Sequence, residues 1–513
     1  MCTLILCNAN AITLDPFRPR AELVAVDGNR IVAVAGNDRL ASLRDPGTEV
    51  IDCGGKTLLP GFIDAHCHVQ AYAKSFVSLR LSPREGIRSI ADIQQSIRNL
   101  CMKRPPGTWV RGKGYNEFYL AENRHPNRWD LDAAAPLHPV KLTHRSGHAH
   151  VLNSLALQRA GISDEAGDAP GGLIDRDPAT GAITGILYGM GAHLAEKIPP
   201  YDAGEIERGL NRVDENLLSR GITSVQDASA SNDLNRWAWL DDVKSRNLFK
   251  PRVAMMMGRK GFDEWRTRAF SSGLRAEDLK TGGVKIIAGQ VSGDLNPSQE
   301  ELNDQVSTIH EAGLQAVIHA VEEPVIEAAC DAVAFALGRS PRPDHRHRIE
   351  HCSICPPPLI RKLARLGIAV VTQPSFIYQN GDRYLAKVPA DQQPHLYPVG
   401  SLLRNGLIVG ASSDFPVPDP NPLIGIGAAV TRMTEGGNRV VAEQRVTVHE
   451  ALILHTLGAA AAGFEEGIKG SISPGKLADL VMLDRDPFAV ESEQIRHIKV
   501  RMTILDGKVV WAS

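Results

Sequence analysis

Short apolar runs recur along the chain from residue 220 to about residue 410: GITSVQD from Gly221, RVAMMM from Arg252, VKIIAG from Val284, QAVIHA from Gln315, HRIEHC from His347, AVVTQP from Ala369 and LIVGASSD from Leu407. They begin 31, 32, 31, 32, 22 and 38 residues apart, and amphipathic stretches such as 298–312 and 322–337 fill the gaps. Strands alternating with helices at this interval predict βαβ units and a parallel sheet. The upstream run LLPGFID at 58–64 brings the strands to eight, the number that closes a (β/α)8 barrel. An open doubly wound sheet is the competing arrangement, but no Gly-rich nucleotide fingerprint follows the first strand.

The ends of the chain follow a different rhythm. Glu22–Val26 and Arg30–Val34 flank Asp27-Gly28-Asn29, and Val500–Leu505 and Val509–Trp511 flank Asp506-Gly507-Lys508. Glycine-containing turns between β-branched runs are hairpin signals. With a further strand expected at 478–483, the two termini are expected to join in one small sheet, residues 1–55 and 465–513, beside an α/β barrel over 56–464. The segment 75–201 keeps neither rhythm and carries Pro105-Pro106-Gly107, Pro199-Pro200 and several aromatics. It reads as an insertion after barrel strand 1, packed over the barrel mouth.

Composition narrows the class. The 513 residues are 43% hydrophobic and 23% charged, with 57 basic and 59 acidic side chains for a net charge of −2. That balance suits a globular protein and argues against a nucleic-acid footprint or a polybasic membrane anchor. No apolar run approaches the ~20 residues of a membrane helix, and the start MCTLILCNAN lacks the basic n-region of a signal peptide. Eight cysteines are too few for a disulfide scaffold, which points to a reducing cytoplasm. The expected partner is therefore a small molecule, with neither nucleic acid nor membrane; a homo-oligomer stays open.

The chemistry sits at the strand ends. His66-Cys67-His68 closes the first strand, where alternation puts both imidazoles on one face and the thiol on the other. The fourth strand carries Lys285, the fifth ends at His319, the sixth at Glu350-His351 and the eighth at Asp414. In a barrel these ends share one face, where active sites are built, and imidazoles with a carboxylate suit zinc or a similar divalent metal. Glu350 is expected to face away from the barrel interior by the same alternation. Cys352 and Cys355 lack a second C-x-x-C to complete a zinc cage and read as structural thiols.

With these residues in hand the sequence resembles the amidohydrolase superfamily of metal-dependent hydrolases, and within it amidohydrolase family 3, the subfamily of N-substituted formamide deformylase. The matching stretches are LLPGFIDAHCH at 58–68, HRSGHAHVLNS at 144–154, GITSVQD at 221–227, GGVKIIAG at 282–289, RIEHC at 348–352, SSDFPV at 412–417 and GSISPGKLADLVMLD at 470–484. The resemblance implies a barrel flanked by a composite β-sandwich from both termini, with His66, His68, His319, His351 and Asp414 surrounding one or two divalent ions, zinc first. It also implies a carboxylated Lys285 bridging them. A lysine of reference pKa ~10.4 would otherwise repel a metal. The alternative is one ion held by His66, His68 and Asp414, with His319 and His351 serving the substrate. One departure stands out: AGQVSG at 288–293 replaces the DG(S/T)-type turn common after strand 4 in the subfamily.

The activity so implied is hydrolysis of a non-peptide C–N bond, most plainly in a linear amide or N-acyl compound with an apolar group. Metal-bound hydroxide would attack, the metal bringing its bound water to a pKa of ~7, and Asp414 would act as general acid/base. Arg145 or His148 would face the oxyanion. Trp109, Tyr115, Phe376 and Tyr378 are candidates to line an apolar substrate pocket. A deaminase or cyclic-amide hydrolase on the same scaffold is the enzymatic alternative, and a non-catalytic assembly subunit the alternative of another class.

Overall fold

The computed structural model describes residues 2–168, 172–268, 278–291 and 293–513. Eight parallel strands form the barrel: β1 (Phe62–Cys67), β2 (Ile222–Asp227), β3 (Arg252–Met257), β4 (Leu279–Ile287), β5 (Ala316–Ala320), β6 (Arg348–His351), β7 (Ala369–Thr372) and β8 (Val409–Ala411). They pair in sequence order, each neighbour parallel. β1, β2 and β3 are buried along their whole length, as strands covered on both faces must be. Beyond the ladders, Asp414 N donates to His66 O and His68 N to Phe415 O, each at 2.9 Å, so the first and last strands are tied where the ligands lie.

The run at 58–64 is in fact two strands. Thr57–Pro60 enters a six-stranded sheet built from both termini, and only Phe62–Cys67 is barrel. Gly61 separates them in close quarters: a Cβ there would stand 2.2 Å from Thr223 Oγ1. The composite sheet joins 480–483, 500–505 and 508–512 to 57–60, 10–12 and 20–21, and a four-stranded sheet of N-terminal segments accompanies it. Both expected hairpins form, with Gly28 at φ +58° and Gly507 at φ +69°, values that glycine adopts freely. Arg252, at the start of β3, is fully buried and anchors these sheets through Asp479 (2.7 Å) and Asp506 (2.5 Å).

The helices follow β strands with clear start signals. Gln299–Glu311 opens with a reciprocal Ser298–Glu301 capping box, and Glu323–Arg339 starts with proline in its first turn. Among the described residues no helix is long and apolar enough to cross a membrane.

Residues 70–213 form a second compact unit, wider than the expected 75–201. Its six-stranded sheet runs 173–176, 183–188, 149–152, 140–144, 110–115 and 79–80. Ile90, Ile93 and Ile97 of the helix Ile90–Cys101 pack on Val110, Val140, Leu142 and Val151. A second cluster gathers Trp109, Leu152, Leu157, Leu187 and Leu194.

Three buried histidines line the end of the barrel opposite the ligands. His347 Nδ1 accepts from Ala316 N at 2.9 Å, so its proton lies on Nε2, which donates to His310 Nδ1 at 2.8 Å; His310 Nε2 then donates to Ser340 O. His345 Nδ1 accepts from His347 N, and its Nε2 donates to Leu366 O. Burial holds the ring of His347 down to about 2 and also lowers His345, so both are neutral in the folded chain. An unfolded histidine titrates near 6.5. Unfolding therefore takes up protons below that pH, and the stability present above pH 6.5 is lost as the pH falls toward about 2. His347→Leu is expected to flatten the urea-midpoint dependence between pH 6 and 4 by up to one proton, about 1.4 kcal/mol per pH unit. An unchanged slope would remove His347 from the titrating set.

Candidate metal centre

Four imidazoles, one lysine and one aspartate converge at the C-terminal ends of the barrel strands. His66 Nε2 and His68 Nε2 lie 3.6 and 3.1 Å from Asp414 Oδ1, and these three residues offer one ligand atom each within a 4.8 Å group. The His66 ring is 4.9 Å from that of His351, which stands 4.4 Å edge-on from His319. Cys67 points away, its Sγ toward Gln226 O, as alternation requires.

The imidazoles are aimed by what holds their Nδ1 atoms. His66 Nδ1 meets the Glu350 carboxylate, His68 Nδ1 is hydrogen-bonded to Ser229 Oγ (3.0 Å), and His351 Nδ1 donates to Gln373 Oε1 (2.9 Å). Gln373 is fixed in turn by its own donation to Ser412 Oγ. Partners of this kind leave Nε2 free as ligand and set the ring plane. Asp64 does the same for the opposite wall: it accepts from Ser413 N and Oγ, and so holds the turn that carries Asp414.

The expected outward direction of Glu350 is wrong. Arg348 and Glu350 both face the barrel interior, and Glu350 Oε1 takes the Arg348 guanidinium at 2.6 Å. His351 nonetheless faces the same way, because its φ of +72° reverses the alternation at the strand end. Asp414, at φ +60°, is a second such residue. Both are non-glycine residues in a region that side chains rarely occupy.

Burial sets the charges. Desolvation, followed by the Lys285 charge, holds His66 well below its ordinary pKa, and desolvation with the neighbouring His319 does so for His351. Both are thus neutral and ready to ligate. Lys285 is buried, its Nζ has no hydrogen-bond partner, and burial pulls it down to about 8 against the support of Glu350 and Asp414. Burial likewise lifts Asp64 to about 7. Neutral imidazoles with free Nε2, a carboxylate beside them and an unpartnered lysine amine fit a divalent ion with nitrogen and oxygen ligands.

The amidohydrolase family model matches residues 49–511. N-substituted formamide deformylase of Arthrobacter pascens is 31% identical, over 99% of this chain and 98% of that one. The chain belongs to the amidohydrolase family. Metal-dependent hydrolases of unassigned activity from Pyrococcus horikoshii and Pyrococcus furiosus share the fold. Their TM-scores are 0.78 and 0.75, with 21% and 23% identity, each over 95% of this chain and 99% and 100% of theirs.

The remaining residues singled out from the sequence are scattered. Arg145 and His148 lie in the second unit, half-buried and exposed respectively. In their HRSGH run His144 Nε2 lies 2.8 Å from Glu117 Oε2. Trp109 and Tyr115 sit in two different cores of that unit, Tyr115 with its hydroxyl on His125 Nδ1. Phe376 packs against Tyr397, while Tyr378 lies under the Arg496 guanidinium. The unusual loop after β4 forms a small hairpin, 289–291 with 294–296, and Ser292 lies outside the described residues.

Asp64, Ser229 and Gln373 were not singled out from the sequence. Asp64 carried a signal: it precedes His66 by two on a strand, hence on the same face. Gln373→Leu is expected to keep the circular dichroism spectrum and weaken metal binding about 10–100-fold, the usual cost of losing such a partner. Metal titration of the apoprotein measures it; an unchanged affinity would mean that the bond does not orient His351.

Proposed function

We propose that the protein is a metal-dependent hydrolase of non-peptide C–N bonds, acting on a linear amide or N-acyl compound with an apolar group. The observation that carries this reading is the convergence of His66 Nε2 and His68 Nε2 on Asp414 Oδ1, with the unpartnered Lys285 amine in the same interior. The relative that is an N-substituted formamide deformylase supports an N-formyl group as the acyl part. The complete ligand set argues against a non-catalytic scaffold, and eight free cysteines suit a reducing cytoplasm.

His66, His68, His319, His351 and Asp414 would hold the metal, zinc by the chemistry of the donors. When bound, a divalent ion supplies Lewis acidity and lowers the pKa of water to near 7. Asp414 takes the proton of the attacking water as its oxygen adds to the carbonyl carbon. It then delivers that proton to the leaving nitrogen as the C–N bond breaks. Asp414→Asn is expected to preserve the fold and lower kcat by about 10²–10⁴, the range for a lost general acid/base. Turnover across N-formyl, N-acetyl and cyclic amides tests the substrate class, and a preference for cyclic amides would replace this reading.

Lys285 is the second element of the proposal. A buried amine without a partner reacts in its neutral form with CO₂, its nitrogen bonding to carbon and its proton leaving to solvent. The carbamate so formed is an anionic ligand able to bridge two ions. Lys285→Ala should then drop bound metal from two ions per chain to one or fewer. A wild-type protein that takes up only one ion with excess metal and bicarbonate would refute the bridge and leave the hydrolase standing.

A further inference from the structure

The second unit gathers cations that its own carboxylates do not balance. In the register of its sheet Arg111 stands directly opposite Lys141. Lys113, on the same face as Arg111, pairs with Thr143, which in turn stands opposite His150. Lys74, from the helix Val69–Phe76, adds its charge to both Lys113 and Lys141. Like charges opposed on neighbouring strands cost stability.

The partners available to this group are few. Arg111 donates to Pro199 O at 2.6 Å and lies 4.3 Å from the Tyr201 ring centroid. Glu205 is the carboxylate that acts on it, and Arg104 draws on the same carboxylate at 3.9 Å. Lys113 donates to a neutral acceptor, Ala71 O, at 2.8 Å. Lys141 has no hydrogen-bond or ion-pair partner among the described residues, and the charges that act on it, Arg111 and Lys74, are both cations. Burial pulls Lys113 down to about 7 and Lys141 to about 8.

An independent observation marks the same face. His150 is buried, its Nδ1 lies 3.2 Å from Thr143 Oγ1, and its Nε2 is buried without a partner. Thr143 can donate to Nδ1, which leaves the proton on Nε2 with nothing to receive it. Beside it stands Gly191, where a Cβ would come within 3.2 Å of Nε2.

We propose that this face of the second unit binds a small oxyanion, a carboxylate or phosphate group, with Lys141 as principal ligand and Arg111, Lys113 and His150 Nε2 around it. Such an anion would relieve the repulsion across the ladder and accept charge-assisted hydrogen bonds from Lys141 and His150 Nε2, which have no acceptor among the described residues. The proposal is independent of the hydrolase reading.

Calorimetric titration of the holoprotein with sodium phosphate, and separately with sodium acetate, at an ionic strength fixed with chloride, tests it. Lys141→Met should weaken the tighter anion about 10–100-fold, the worth of one charge-assisted hydrogen bond. Lys141→Arg should bind close to wild type, and so should Lys103→Met, which removes an exposed cation of the same unit. Tighter phosphate assigns a phosphate group, and tighter acetate a carboxylate. The proposal is overturned if neither anion binds the wild type, or if Lys141→Met binds as the wild type does. Loss of binding in His68→Asn but not in Lys141→Met would also overturn it, by placing the anion at the metal centre. Should Lys141→Met not fold, Lys113→Met is held to the same criterion.

Discussion

A carboxylate buried in the middle of a barrel is tolerable only if its charge is met, and Glu350 is such a carboxylate. Arg348 meets it from two residues earlier on β6, and the same guanidinium reaches Gln226 Oε1 at 2.5 Å and Ala65 O at 2.8 Å. One ion pair therefore ties β6 to β1 and β2 across the barrel axis. The other carboxylate oxygen takes His66 Nδ1, so the interior that closes the barrel also aims a metal ligand. Removing one partner of a buried pair typically costs ~3–5 kcal/mol. Fold and site are thus coupled through a single side chain.

The strand ends bear a different load. His351 and Asp414 hold positive φ, and Cys352 follows at +50°. Such conformations cost of order 1–3 kcal/mol each and persist where the surroundings impose them. Here Cys352 N is bound to Ala320 O, Asp414 N to His66 O and Ser413 to Asp64. The strained turns let consecutive strands deliver side chains to one point, which regular alternation would send to opposite faces.

Some buried charges meet an opposite charge and others do not. In the first unit Arg252 is matched by aspartates and Glu465 by Lys280 and Lys469. In the second, Lys113 and Lys141 lie among cations. The contrast separates pairs that join layers of a fold from a group that lacks its counter-charge.

Local pattern alone determined the eight strands, both terminal hairpins and the residues at the strand ends, because strand period, turn chemistry and βα spacing are properties of short segments. His66, His68, His319, His351 and Asp414 were legible for that reason, as was the direction of Cys67. The side to which Glu350 points was not, since alternation counted back from His351 fails where that residue's positive φ, imposed by tertiary bonds, reverses it. Nor was the split of the run at 58–64 between two sheets, decided by the approach of Thr223 to Gly61. The pairing of Gln373 with His351, of Asp64 with Ser413 and of Arg111 with Lys141 arises from register between separate strands. Register and strand-end twist are set by what packs across the fold, so only the tertiary structure could decide them.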